Sequence, residues 1–490
     1  MKKLLTIITM VCFVSIVSAQ TADDALRYSQ TFYESTARSS AMGGAFGALG
    51  ADLSVASTNP AGLGLFRTNY FSISPEINIR DVQSVYNNTV SSDNRTVFNF
   101  SNLGYSTAIR LGPEQGKGWK FMQFSFGMNR LNNFHTYRDM QGPNLQNSKL
   151  DVYLENADGV NYEDIANDKN NLYSFDLNPA WQLYLIDTIP GYQNLYYSPV
   201  PFGGTFQREQ LQTRGAINEW FFAFSANYNN VLFVGATIGA DFLHYYSNSY
   251  YTERDVADTI PYFKSWEFDQ YLETKGVGIN AKIGVVIQPV KWVRIGLAYH
   301  SPTWYGNMRD TWYTTTYANL EWTDPSSATS PTGTFNYRMT TPMKFLADVG
   351  VLIGNRGSFS FEYEHLNYAK AKFKADNYDY QSENGDIKYY YKPVSNFRMG
   401  TEWRFGMVDL RAGYAFYGNP YARNINDASR QTYSGGVGFR FGNMMLDLAY
   451  VYSKMNKDYY FYGTNNISVN PVKNSYQNHS VILSLSYRLK

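Results

Sequence analysis

The chain has 490 residues, a formal net charge of +1, 43 Tyr, 32 Phe and a single Cys. Near-neutrality offers no bulk attraction for nucleic acid or an acidic partner, and no Pro- or Ser-rich linker splits the chain into separate soluble domains. Aromatic residues, at 17%, suit β-strands and the headgroup girdles of membrane barrels.

Residues 1–19 read as a secretory signal peptide: Lys2 and Lys3, an apolar run over 4–17, then Ser18-Ala19 before Gln20. Cys12 lies inside the apolar run, so the mature chain is expected to have no disulfide, thiolate metal site or cysteine nucleophile. Residues 20–68 do not alternate between apolar and polar. They are dense in small residues around Gly43, Gly44 and Gly47, and Asn59-Pro60 marks a turn. The glycine run lacks the strand–loop–Lys-Ser/Thr–helix order of a phosphate loop. A compact plug ahead of the first strand is the expected form.

From residue 69 onward apolar residues recur at every second position. Period two gives about fourteen strand candidates, over 69–80, 98–111, 119–131, 219–228, 231–247, 272–288, 292–301, 343–354, 357–368, 396–405, 407–418, 432–442, 444–455 and 479–489. Gly- and Asn-rich turns, such as 112–118 and Asn229-Asn230, alternate with long polar segments near 81–97, 132–218, 248–271, 302–342, 369–395, 419–431 and 456–478. A soluble sandwich has no reason to alternate short and long connections; an outer-membrane barrel does, and strands of roughly 9–11 residues cross the bilayer. The expected fold is all-β: a transmembrane antiparallel β-barrel of about 14 strands over 69–490, preceded by an N-terminal plug or hatch over 20–68. An even strand count in the outer membrane of a Gram-negative bacterium returns both termini to the periplasm.

Strand parity assigns faces. Phe397, Met399, Trp403 and Phe405 point to lipid, with Arg398, Glu402 and Arg404 inward; Asp409, Arg411, Arg440, Asp447, Arg294, Glu362 and Glu364 also face inward. Two readings of these charges stand: paired acids and bases filling the barrel, or a ladder of lumen contacts, Arg294, Arg398, Arg404, Arg411 and Arg440, for a ligand's carboxylate or phosphate. The longest segment, 132–218, carries Phe134, Tyr137, Tyr153, Tyr173, Phe175, Trp181, Tyr184, Tyr196, Tyr197 and Phe202, suited to an apolar capture groove or to packing over the barrel mouth.

The stretch ARSSAMGGAFGALGADLSVASTNPAGL over 37–63 resembles the N-terminal hatch of the FadL/TodX outer-membrane channels for fatty acids and hydrocarbons. The resemblance implies a fourteen-stranded barrel plugged by its N-terminus, ligand capture by outer loops and sideways release at a kink in the third strand. The family's Asn-Pro-Ala hatch motif falls on Asn59, Pro60 and Ala61. A third-strand kink is expected near Gly127 or Asn129. The terminal Tyr487-Arg488-Leu489-Lys490 departs from the terminal aromatic of many such barrels.

No Gly-x-Ser-x-Gly, His-Glu-x-x-His or cysteine pair is present, so no catalytic residue, metal or cofactor is expected and the chain reads as a non-enzyme. His135 and His244 are the candidates for a haem-binding alternative. Asp187-Thr188-Ile189 and Asp258-Thr259-Ile260 match a bacterial O-glycosylation pattern. The leading reading is uptake of a hydrophobic or amphipathic small molecule, with outer-membrane lipids and the insertion machinery as partners. The alternatives are a FadL-like scaffold or cargo shuttle in protein export, with an accessory lipoprotein or export partner, and an outer-membrane enzyme.

Overall fold

The computed structural model describes residues 20–112, 116–200, 203–464 and 466–489. The expected signal peptide and part of the turn at 112–118 lie outside them. Among the described residues the chain forms fourteen antiparallel barrel strands. They are β1 (Asn69–Tyr86), β2 (Thr89–Arg110), β3 (Trp119–Asn133, continued by Thr136–Asn144), β4 (Thr205–Tyr228) and β5 (Leu232–Arg254). Next come β6 (Phe263–Val290), β7 (Val293–His300, continued by Trp304–Leu320), β8 (Gly333–Thr340, continued by Lys344–Ile353) and β9 (Gly357–Asn367, continued by Lys372–Lys374). The wall ends with β10 (Pro393–Phe405), β11 (Val408–Tyr417), β12 (Arg430–Phe441), β13 (Met444–Tyr459) and β14 (Val472–Leu489). Each strand pairs with the next, and β14 pairs back onto β1, with Phe71 opposite Tyr487 and Ile77 opposite Val481. Closure removes the open edge that a bilayer would not tolerate.

Face alternation follows the sequence. Val481, Leu483, Leu485 and Tyr487 are 40–42% exposed on the outer surface, while Ser480, Ser484 and Ser486 are at most 2% exposed within. Trp119, Trp292, Trp403, Phe405 and Phe441 are exposed near the short turns, as an interfacial girdle requires. No helix among the described residues is long and apolar enough to cross a membrane.

The strands run further than hydropathy indicated. The polar segment 81–97 is strand except for the Asn87-Asn88 turn, both residues of which take positive φ, and most of 248–271 and 302–342 is strand as well. Beyond the lipid the outer face needs no apolar side chains, so alternation fades while the backbone ladder continues. Segment 132–218 likewise contributes the upper parts of β3 and β4, and between them three short helices, Lys149–Ala157, Tyr162–Asn167 and Leu177–Gln182. Ser148 starts the first by accepting from the Leu150 amide at 3.0 Å while Asp151 accepts from its own. These helices bury Leu150, Tyr153, Ile165 and Leu177 against Trp266 and Phe268 of β6.

Candidate functional site

The segment ahead of β1 lies against the inner wall. Helix α1 (Ala22–Ser29) sits in the long-loop half, where Gln20 Nε2 donates to Asp310 at 2.5 Å. The Tyr391 and Tyr421 hydroxyls donate to Asp23 at 3.0 and 3.2 Å, and Lys457 Nζ at 3.0 Å. Confinement raises the Asp23 pKa, but the Lys457 and Arg27 charges and these hydrogen bonds outweigh it and hold the carboxyl below the usual carboxylate range. Leu489 pairs with Asn69 at the short-turn end. Leu489 thus lies on the short-turn side of the wall, whereas Gln20 sits toward the long loops.

Two glycine cradles seat the rest of the segment. A Cβ at Gly400 of β10 would lie 2.4 Å from the Met42 carbonyl oxygen, and one at Gly413 of β11 2.2 Å from the Gly43 nitrogen. On the opposite wall, a Cβ at Gly235 of β5 would lie 2.4 Å from the Pro60 carbonyl, and one at Gly284 of β6 2.0 Å from Asn59 Oδ1. Only glycine permits so close an approach. Asn59, Pro60 and Ala61 are brought together in this second cradle, with Asn59 and Ala61 both 0% exposed. Asn59 Oδ1 caps the 3₁₀ turn Pro60–Leu65 by accepting from the Ala61 amide at 3.3 Å, and its Nδ2 donates to Asp348 of β8 at 2.9 Å. Pro60 opens that turn, where its fixed φ fits and no amide donor is needed.

A third contact comes from β3. Asn129 donates to Ser57 Oγ at 2.8 Å and accepts from Ser35 Oγ at 2.7 Å. Pairing of β2 with β3 ends at Asn102 opposite Asn129, the register against β4 shifts between Arg130 and Asn132, and β3 is interrupted before Thr136. The irregularity thus begins at Asn129, while Gly127 stays in register opposite Gly104.

The inward charges divide into two groups. Arg398, 1% exposed, is clamped by Glu362 and Glu364 and lies 4.3 Å from the Tyr33 ring centre. Arg411 bonds Glu402 at 2.6 Å, Asp447 at 2.8 Å and Asp409 at 3.4 Å. The segment joins this network: Arg38 forks onto Glu402 through two bonds of 2.9 Å, the Tyr33 hydroxyl donates to Glu364 at 2.9 Å, and the Gly47 amide donates to Glu362 at 3.1 Å. Arg398 and Arg411 are therefore occupied structurally. Arg294, Arg404 and Arg440 instead border a cavity at the short-turn end.

In the long-loop half lies a cavity of about 450 Å³ bounded by α1, β1, β3, β4 and the later strands. Leu26, Phe32, Phe134, Leu211, Trp312 and Met455 give it apolar walls. Arg80 and Arg138 border it too. Arg80 donates to Thr136 Oγ1 at 3.2 Å and Asn478 Oδ1 at 3.3 Å; Arg138 donates to the Tyr476 hydroxyl at 2.8 Å and lies 5.0 Å from the Tyr459 ring centre. Neither forms an ion pair with a carboxylate among the described residues. Of the aromatics proposed for a capture groove in 132–218, Phe134 lines the cavity, Tyr153 is buried in the cap, and Trp181 stacks on Tyr162. His135 bonds Asn133 and His244 bonds Glu273, and no cluster suited to a metal ion occurs among the described residues.

No family model and no curated protein matches the sequence. Solved structures do. The toluene transporter TbuX of Ralstonia pickettii aligns with a TM-score of 0.52 at 14% identity, over 94% of this chain and 99% of that one. The Pseudomonas putida toluene transporter TodX gives 0.52 at 12% identity, over 94% and 100%. A Pseudomonas aeruginosa FadL homologue gives 0.53 at 11%, over 93% and 98%. At such identities the likeness shows the fold, and the fold is the FadL/TodX-type barrel.

Proposed function

We propose that this chain is an outer-membrane channel that takes up amphipathic small molecules with an apolar body and an acidic head. The observation that carries the reading is the cavity of about 450 Å³, apolar over much of its wall yet bordered by Arg80 and Arg138, neither of which has a carboxylate partner among the described residues. Its volume falls in the range of about 300–1,000 Å³ usual for small-ligand sites. Guanidinium forks suit a carboxylate, and a bare hydrocarbon would leave them unused. The neighbours' transport of toluene supports a hydrophobic cargo. The short turns face the periplasm and the long segments the exterior.

In this mechanism the ligand enters beneath the outer cap and settles against α1. The segment 20–68 acts as the hatch, seated by Asn59, Pro60 and Ala61. Release runs sideways where the β2–β3 ladder ends at Asn102 and Asn129. Outer-membrane lipids receive the ligand there, and the insertion machinery assembles the barrel.

Binding of a fluorescent long-chain carboxylate to the purified barrel tests the reading. Arg80→Gln with Arg138→Gln should weaken it about tenfold, since a charge-assisted hydrogen bond contributes about 1.5–3 kcal/mol, and should leave the corresponding alcohol unaffected. Equal affinity of wild type and variant for the acid would overturn the assignment.

A further inference from the structure

We infer that the short-turn end of the barrel holds a second binding site, an arginine-lined vestibule for a phosphate-type oxyanion. It goes beyond the proposed uptake function, which is needed only to place this mouth in the periplasm; the vestibule's anion affinity stands apart from any ligand of the upper cavity.

The vestibule has a volume of about 330 Å³ and is lined by Arg38, Arg294, Arg356, Arg404, Arg440 and Arg488, with Glu402 the one carboxylate residue in its lining. The carboxylates behind that lining are already shared. Asp409 accepts from Arg440 at 2.6 Å and Arg404 at 3.2 Å, while Glu402 is divided between Arg38 and Arg411. Asp447 bonds Arg411. Among the described residues seven guanidiniums, Arg411 included, thus stand beside three ion-paired carboxylates, with Asp52 a fourth acting on Arg38.

The excess is concentrated on three residues. Arg356 and Arg488 make no side-chain hydrogen bond or ion pair among the described residues. Among the described residues Arg294 donates to neutral oxygens alone, Leu49 O at 2.6 Å and Gln288 Oε1 at 3.5 Å. Like charges gathered around one concavity repel one another, and a bound anion relieves that repulsion. Phosphate is the fitting chemistry, because its several oxygens accept from more than one planar fork at once and the lining cations are all arginine rather than lysine. Leu49, Gly50 and Ala51 of the N-terminal segment form part of the lining, so the site shares its wall with the underside of that segment.

The same oxyanion has two sources, the headgroup of a phospholipid in the adjoining leaflet or a free phosphate. Calorimetric titration of the full-length barrel in neutral detergent with inorganic phosphate, at fixed ionic strength with chloride as control, tests the free form. Native mass spectrometry after exposure to phosphatidylglycerol or to diacylglycerol tests the lipid form. Wild type should bind phosphate, or retain phosphatidylglycerol over diacylglycerol. Arg356→Gln with Arg488→Gln should weaken that binding about tenfold while heat-modifiable migration reports an intact barrel. Arg80→Gln should leave it unchanged, which separates this site from the upper cavity. Phosphate binding alone identifies a solute site; selective lipid retention identifies a headgroup site. Wild type binding neither, or the double variant binding as wild type does, overturns the inference.

Discussion

Replacing Asn59 with alanine should free part of the N-terminal segment without opening the barrel. The substitution removes a cap from the turn Pro60–Leu65, a loss of about 0.5–2 kcal/mol. It also takes from Asp348 the donor now 2.9 Å away, and a buried acceptor left unsatisfied costs about 1–3 kcal/mol. Together these weaken docking by about 1.5–5 kcal/mol, which at about 1.4 kcal/mol per tenfold raises the detached population roughly 10- to 4,000-fold. The ladder of β6 and β7 is not involved, because the Asn59 side chain reaches their carbonyls only at 3.4 and 3.5 Å. Hydrogen exchange read by mass spectrometry gives the answer. The amides of Ala51 and Gly62, bonded to Gly62 O and Asn59 O at 3.0 Å each, should exchange faster, while peptides from β14 keep their protection. Unchanged exchange in the segment, or an equal rise in β14, would refute the reasoning.

Gly284→Ala should loosen the same turn through a Cβ built 2.0 Å from Asn59 Oδ1, whereas Gly385→Ala, with nothing within 4 Å, should not; the same exchange experiment compares them. Leu483→Arg places a charge in lipid at about 2–4 kcal/mol near midplane and should reduce the heat-modifiable barrel recovered from membranes. Ser484→Arg should still insert, but because Ser484 Oγ accepts from the Ala37 amide at 2.7 Å it should accelerate exchange around α2 (Ala37–Ser40). Because the folded pKa of Asp23 is depressed, its anchoring of α1 is present above the unfolded value of about 3.9 and lost as pH falls through the lower folded one. A spin label at Ala22→Cys should therefore gain mobility in acid, and Asp23→Asn should be mobile already at neutral pH; an identical pH profile in both would sink the anchor.

The strands were legible because lipid forces alternation onto every residue it touches, and the observed wall contains each of the fourteen predicted elements. Their upper extensions were not, since residues such as those of 81–97 meet water outside and a polar interior, and hydropathy carries no parity there. Parity placed Arg398 and Arg411 inward but has no vertical coordinate. It could not separate them, sealed among carboxylates, from Arg294, Arg404 and Arg440 at the rim. Arg80 was within reach: it closes the series Tyr70, Ser72, Ser74, Glu76, Asn78 on the inner face of β1. Arg138 was not, because it lies on the part of β3 that reads as loop. Small residues over 37–63 announced close packing, but the receiving glycines at 235, 284, 400 and 413 are scattered across four strands, and only the folded register gathers them.

Charge inside the proposed conduit for hydrophobic cargo is less contradictory once its position is considered. The buried network lies on one side of the segment, where Tyr33, Arg38 and Gly47 are tied to Glu364, Glu402 and Glu362 of β9 and β10. Breaking the ion pair among these, Arg38 with Glu402, costs up to about 3–5 kcal/mol where a buried charge is left uncompensated. Toward β3 and β5 the contacts are neutral hydrogen bonds and close packing: Ser57 to Asn129, and Pro60 against Gly235. Each bond there contributes only about 0.5–1.5 kcal/mol. The segment is therefore anchored firmly to β9 and β10 and more lightly to β3 and β5. The light side is also where β2 and β3 part company at Asn129. A hinged displacement that keeps the ion pairs and releases 53–65 would open space beside that gap, and the ionic residues would act as the hinge plate rather than as obstacles in the path.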